Sequence, residues 1–469
     1  MSQKKVCIIG AGIGGLTTGA LLTKHGYKVK IFEKEPLIGG RALSFDPSSM
    51  TLKEYKDLLS RFNMHIPFST PDINTIFKEK MLNGYILDLG FHSIGGGAVS
   101  NINSVLSGFD KQIEMLESKL GLITKEGFDF PLLSKFDKLR LFPRTLQVLL
   151  ARESTMKKMD NIPMSETLNR YGKGKMKTVL ELFSRVSSTV NNLNLISTGE
   201  MLRAQRNLLK GKKVKYLTVG YPKNGLCNIS QTLADSIKSK DGEINLNKPV
   251  SEIIIKNNKA IGVTAGGKEY SFDIILSNIL VQNLFKIADE KHFPKEYVKN
   301  LKSLSGSGSL CAYYSLNKID PGVLGKTFLF IERNIGVDGN DAVGMIDFVT
   351  ALPESGLAPS PHHLVQSYII CSPDEAKDKK TLVNLKELLD KNLEHLLPSF
   401  RSNLNWAIYP AIWHLDGVAK TIKNKKPEIK TPIENLYLIG DCVKAPGIGF
   451  NCAINSAQIL TNTLENLIN

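Results

Sequence analysis

A run of glycines, Gly10-Ala11-Gly12-Ile13-Gly14-Gly15, lies between an apolar stretch from Val6 to Ile9 and a helical pattern from Gly14 to His25. This feature constrains the fold more than any other. The helical pattern gives way at once to a second apolar stretch, Lys28 to Phe32, which ends at Glu33. Strand, helix and strand in so short a span read as a crossover between two parallel strands. In such a turn Gly10 permits the tight bend, Gly12 and Gly14 keep the backbone open to a pyrophosphate, and Gly15 lets helix and strand close on each other. The helix N-terminus adds free N–H groups and about half a positive charge, which favours an anion there. Glu33, 18 residues beyond Gly15, is placed to accept hydrogen bonds from a ribose.

NAD and FAD share this turn, and two further stretches separate them. Gly39-Gly40-Arg41 follows Glu33 and can return a guanidinium to the pyrophosphate, where a bidentate contact is favoured. Far along the chain, Leu436-Tyr437-Leu438-Ile439-Gly440-Asp441 reads as a core strand closing on Gly-Asp, with Gly447 and Gly449 ahead of a final helix from about Cys452 to Ile468. That arrangement sets the Asp441 carboxylate on ribityl hydroxyls. It also aims a helix N-terminus at the pyrimidine edge of a flavin, where negative charge develops on reduction. The expected cofactor is FAD, bound by the first forty and the last thirty residues together.

A chain of 469 residues is long enough for about three domain-sized units, one of them split in sequence. The expected fold class is α/β, a Rossmann-like FAD-binding domain with a discontinuous substrate domain made of an antiparallel sheet and a helical, basic segment. The expected boundaries give residues 1–98, 218–280 and 421–469 to FAD binding, 99–217 to the basic helical segment, and 281–420 to the sheet of the substrate domain. The turns Asn257-Asn258 and Gly266-Gly267 punctuate a meander inside the second FAD-binding part.

Net charge is +15, and from Lys125 to Lys215 there are 19 lysines and arginines against 8 acids. Within that segment Leu139, Leu141, Phe142, Leu146, Leu149 and Leu150 interleave with Arg140, Arg144 and Arg152 in a helical pattern with little sign of strands. Cations attract anionic headgroups while Leu and Phe enter the interface, so the segment is expected to touch a membrane surface. Nucleic acid is not an expected partner, because no recognised module or aromatic-basic interleaving accompanies the charge. No stretch approaches the roughly 20 apolar residues of a membrane span. Six scattered cysteines without CxxC spacing or partner histidines imply no metal site and reduced thiols in a cytoplasmic protein.

The opening turn with Glu33 and Gly39-Gly40-Arg41, the central Pro222-Lys223-Asn224-Gly225 before Glu243-Ile244-Asn245-Leu246 and Val250, and the closing Gly440-Asp441 with Gly447 and Gly449 resemble the phytoene desaturase branch of the FAD-dependent amine oxidase superfamily. That branch also includes carotenoid isomerases and retinol saturase. The resemblance spans the chain and is dense in these blocks; the central one departs from the usual Gly-Gly at Asn224. It implies that the Val250 backbone meets the adenine, Arg41 the phosphates and Asp441 the ribityl chain of a noncovalent FAD. The implied chemistry is hydride transfer between flavin N5 and a carbon of an apolar isoprenoid or carotenoid-type substrate, in a desaturase, isomerase or saturase. His92, in the glycine-rich loop Gly90 to Gly97, is the first acid–base candidate, and His414 beside Trp413 is a weaker one that could line the cavity. Two alternatives stand beside this reading: an amine oxidase or protoporphyrinogen oxidase relative, and a non-catalytic prenyl-binding protein of the Rab GDP-dissociation inhibitor kind.

Overall fold

The structure is a computed structural model that describes residues 3–209, 218–335 and 341–466. The first apolar stretch forms the strand Lys5–Ile9 at the centre of a five-stranded parallel sheet. Its neighbours run in the order Glu243–Asn245, Lys28–Phe32, Lys5–Ile9, Ile274–Ser277 and Leu436–Leu438. Val6 pairs with both Val29 and Ile274, and Ser277 pairs with Leu438. Three widely separated parts of the chain therefore supply one sheet. Because all the strands are parallel, Gly10, Glu33, Asn278 and the Ile439-Gly440 turn emerge from the same edge, where ligands bind in open α/β sheets.

Helix Ile13–Lys24 follows the glycine turn, and all but two of its residues are buried. A helix buried on every side belongs inside the layer rather than on its surface. The meander Val250–Lys256, Lys259–Ala265 and Lys268–Ser271 packs beside the sheet. Asn257 and Asn258 take φ of 49° and 60°, and Gly266 and Gly267 take 56° and 74°. These are the paired positive values that two-residue hairpin turns require.

The second sheet has ten strands. In spatial order nine of them are Met64–Thr70, Leu404–Ile412, Gly308–Leu316, His363–Cys371, Ala342–Asp347, Thr327–Glu332, Met115–Thr124, Thr218–Pro222 and Ile94–Gly95, with Gly127–Asp129 paired off Met115–Thr124. Pairing is antiparallel except between Thr327–Glu332 and Met115–Thr124. Gly308–Leu316 is buried along its whole length, Ser309 and Ser315 included. Behind it Asp390, on the helix Lys379–Leu396, accepts hydrogen bonds from Tyr314 at 2.9 Å and Tyr409 at 2.7 Å.

Two features differ from the sequence reading. Met115–Thr124 and Gly127–Asp129 are strands inside the segment expected to be helical. Ser118 takes the buried position between Leu116 and Leu120, which makes Glu117-Ser118-Lys119 polar throughout and hides the alternation, and the Glu117 carboxylate is used to accept from the Ala98 N–H at 2.7 Å. The strands Met64–Thr70, Ile94–Gly95 and Thr218–Pro222 also join the second sheet, although they fall inside the expected FAD-binding parts. The rest of 99–209 is helical, with helices Lys135–Leu150, Glu153–Lys158, Met164–Tyr171, Gly174–Ser188 and Thr198–Leu209. The last residues of the expected basic segment, 210–217, lie outside the described residues.

A Cβ at Gly15 would overlap the Gly10 carbonyl oxygen, which is backbone and cannot swing away. Gly15→Ala is therefore expected to cost about 1–3 kcal/mol through overpacking. A thermal melt should show a lower Tm for the flavin-free protein, and an unchanged Tm would mean that the turn is looser than described.

Candidate active site

The opening and closing turns meet. A Cβ at Gly14 would lie 2.6 Å from Asn278 Oδ1 and 3.0 Å from the Gly440 Cα, and one at Gly40 would lie 3.1 Å from the Gly12 Cα. Asn278 Nδ2 donates to the Gly10 carbonyl at 3.3 Å, and the Gly440 N–H donates to Ser456 Oγ at 2.9 Å. Gly10, Gly12, Gly14, Gly40 and Gly440 thus form one floor on which side chains have little room.

Two helices begin at this floor. Helix Ile13–Lys24 starts after Gly12, and helix Gly449–Glu465 starts after Ile448. Neither start has a capping side chain or an acid in its first turn. Their free N–H groups call for an outside acceptor, and both ends line the same cavity. Glu33 is buried beside them; its two carboxylate oxygens accept from the N–H groups of Ala11 at 2.6 Å and Glu35 at 2.9 Å. Burial pushes its carboxyl up and those two hydrogen bonds pull it down. Val250 opens its strand opposite Ala265 and lines the cavity together with Pro249.

Arg41 and Asp441, read from sequence as two separate contacts, form a pair. Arg41 Nη2 donates to Asp441 Oδ1 at 2.5 Å, Nη1 donates to the Leu415 carbonyl at 3.1 Å, and Asp441 Oδ2 accepts from the Gly417 N–H at 3.0 Å. Burial opposes both charges, yet each holds the other ionised: Asp441 keeps the guanidinium protonated, and Arg41 holds the carboxyl below the usual carboxylate range. Burial, with the neighbouring Asp441 carboxylate, pushes the Cys442 thiol far up.

His92 lines the cavity, and its Nδ1 lies 3.1 Å from the Gly90 carbonyl. A carbonyl only accepts, so the proton sits on Nδ1. Asp88 Oδ2 is 3.8 Å away; the carboxylate is buried, its Oδ1 accepting from Ser44 at 2.5 Å and its Oδ2 from Tyr221 at 2.7 Å and Gln366 at 3.3 Å. Burial pushes the imidazole down, while Asp88 and the backbone of Gly90 and Arg41 favour its protonated form. His414 is not among the residues that line the cavity; its ring packs against Gly306. Sequence reasoning missed Asn278, Thr189 and Asp416, all of which do line it. Asn278 carries a legible signal, because it follows a core strand as Gly10 and Glu33 do.

One cavity of about 1080 Å³ includes this floor, both helix starts and a wall of apolar side chains such as Phe91, Leu120, Leu132, Phe183, Met345 and Tyr368. The volume is at the upper limit of the roughly 300–1,000 Å³ that holds one drug-sized ligand. Uncapped helix starts, glycine floor, buried Glu33 and the charged pair fit an FAD.

Asp441→Ala leaves the half-buried Arg41 guanidinium without its carboxylate partner. The variant is expected to purify with little flavin, read as the ratio of visible to ultraviolet absorbance. Undiminished flavin content would mean that the closing turn does not hold the cofactor.

A 1-hydroxycarotenoid 3,4-desaturase from Flavobacterium sp. (strain P99-3) is 26% identical over 351 residues, covering 71% of this chain and 67% of that one. The 15-cis-phytoene desaturase of Arabidopsis thaliana is 23% identical over 467 residues, covering 94% of this chain and 76% of that one. Among solved structures, an oxidoreductase from Methanosarcina mazei superposes with a TM-score of 0.70 over 98% of this chain and 100% of that one at 18% identity, a likeness of fold. The family model described as Flavin containing amine oxidoreductase matches residues 13–459, and the chain belongs to that family of FAD-dependent oxidoreductases.

Proposed function

We propose that this enzyme moves hydride between its flavin and a carbon of an apolar isoprenoid or carotenoid-type chain, as a desaturase, isomerase or saturase. The observation that carries the reading is the continuity of one cavity, which has a polar, glycine-floored part and an apolar part lined by Phe, Leu and Met. The desaturase names of the two relatives support the same substrate class.

FAD supplies the hydride-accepting ring when bound. The start of helix Ile13–Lys24, with Gly10, Gly12, Gly14 and Gly15, would hold the pyrophosphate, Glu33 the ribose and the Val250 backbone the adenine. Arg41 and Asp441 would hold the phosphates and the ribityl chain without leaving a charge alone. The start of helix Gly449–Glu465, at Gly449, would face the flavin's pyrimidine edge. The apolar wall excludes water and aligns a chain that offers no hydrogen bonds. His92, with its proton on Nδ1, is the proposed acid–base group. An amine substrate is less well served: Phe91 and Tyr368 stack on each other with centroids 4.4 Å apart, so they do not form two facing walls around a cation.

Helix Lys135–Leu150 supports contact with a membrane surface. Phe136, Leu139, Phe142 and Leu150 are 79%, 72%, 62% and 73% exposed along it, beside Lys135, Lys138 and Arg140. Exposed apolar residues in such number on one helix mark a binding face. The same helix lines the cavity with Thr145 and Val148, which would let a lipid pass from bilayer to site. Among the described residues no helix is long and apolar enough to cross a membrane.

The purified protein is expected to be yellow and to release its FAD on denaturation; bleaching of the flavin by a polyene presented in vesicles, without oxygen, would confirm the substrate class. A colourless protein that FAD cannot reconstitute would favour the prenyl-binding alternative. For the membrane face, Leu139→Asp with Phe142→Asp should leave Tm unchanged and reduce co-sedimentation with anionic vesicles more than tenfold, since each buried side chain contributes about 1.5–3 kcal/mol. Equal sedimentation would exclude this helix as the contact.

A further inference from the structure

Asp416 is a buried carboxyl in the cavity that none of the roles above uses. A Cβ at Gly449, the first residue of the closing helix, would lie 3.3 Å from its Oδ1. That oxygen has no hydrogen-bond partner among the described residues. Oδ2 lies 3.2 Å from Thr189 Oγ1, which is also 2.5 Å from Ser307 Oγ, and the Asp416 N–H donates to that serine oxygen at 3.0 Å.

Thr189 carries a second, independent signal. It ends helix Gly174–Ser188 with φ 53° and ψ 36°, a left-handed conformation that a β-branched residue rarely adopts. Among the described residues every other one with positive φ is Gly, Asn, Asp or Lys. Glycine would close the helix there without strain. Strain held at a cavity wall points to a use for the side chain; the hydroxyl has the Ser188 carbonyl at 2.7 Å, Ser307 Oγ at 2.5 Å and Asp416 Oδ2 at 3.2 Å as acceptors in reach, and it can donate to an ionised Asp416 or accept from a protonated one.

We propose that Asp416 is a second catalytic group beside His92, the carboxyl that takes up a proton as the flavin is reduced. The inference rests on the FAD reading, with the pyrimidine edge at the start of helix Gly449–Glu465. When a substrate is desaturated, one C–H bond breaks with both electrons passing as hydride to the flavin. The adjacent C–H bond breaks with its electron pair forming the C=C bond, and its proton bonds to the Asp416 carboxylate. Negative charge gained at the flavin edge raises the affinity of the neighbouring carboxylate for that proton. Burial and the Asp441 carboxylate already push Asp416 upward, and Lys426, Arg41 and Lys420 pull it down. All three cations have other partners: Lys420 donates to Glu200 at 3.0 Å, Lys426 to the Asp441 carbonyl at 2.7 Å and Arg41 to the Asp441 carboxylate at 2.5 Å. Tyr368 and the Cys452 thiol also face Asp416.

The test is a redox titration of flavin-loaded protein, followed by flavin absorbance and repeated across the pH range in which the protein is stable. In the wild type, midpoint potential should fall with pH at the slope of two protons per two electrons over the interval in which Asp416 is ionised before reduction and protonated after it. In Asp416→Asn that slope should be halved. Thr189→Val removes a donor to the ionised carboxylate, so its steep interval should move to higher pH, and this variant carries the test if Asp416→Asn loses its flavin. A yellow wild type with the same slope in Asp416→Asn, or an unmoved interval in Thr189→Val, overturns the role of Asp416 alone; a colourless wild type overturns the FAD reading beneath it.

Discussion

Two helix starts without caps, aimed at one cavity, are the constraint around which the molecule is arranged. Backbone N–H groups left without acceptors are costly when buried. Most helices in globular proteins avoid the problem with a Ser, Thr, Asp or Asn side chain. Here Gly12 and Ile448 occupy the capping positions, and neither offers an oxygen. A bound dinucleotide would supply acceptors to both ends at once. The five-stranded parallel sheet makes this possible, because it sets the first and last strands of the chain with their carboxyl ends at the same edge.

Charge holds the two ends in register. The Arg41 and Asp441 side chains join a residue of the opening third to one of the closing turn, and the Leu415-to-Gly417 loop wraps them through its carbonyl and N–H. The same loop presents Asp416 to the cavity and, through Thr189, to the helical segment. One short loop thus connects the nucleotide site, the proposed proton acceptor and the layer that carries the exposed apolar helix.

Much of this was legible in sequence, and for physical reasons. The glycine turn, Glu33 and the closing Gly-Asp lie where local sterics put them, at strand ends that line one cavity, so their placement is legible without knowledge of the rest of the chain; the Asn-Asn and Gly-Gly hairpins are legible on the same ground. Met115–Thr124 was not, because buried Ser118 stands between Glu117 and Lys119 and turns that run polar throughout, so the alternation that marks a strand is lost. Pairing of Arg41 with Asp441 was hidden by a different cause: each has a local motif that explains it, and only the tertiary fold brings them within 2.5 Å. Thr189 leaves no trace in sequence, since nothing in a threonine announces a left-handed backbone. His414 misled because aromatic company suggests a cavity wall, whereas its ring is used against Gly306.

Hydrogen–deuterium exchange of the flavin-free protein with and without added FAD tests the convergence most directly. Amides at the start of Ile13–Lys24 and of Gly449–Glu465 should gain protection together and at the same FAD concentration, as two ends of one binding event. Protection confined to one of the two starts, or absent from both, would contradict a site built from the two ends of the chain.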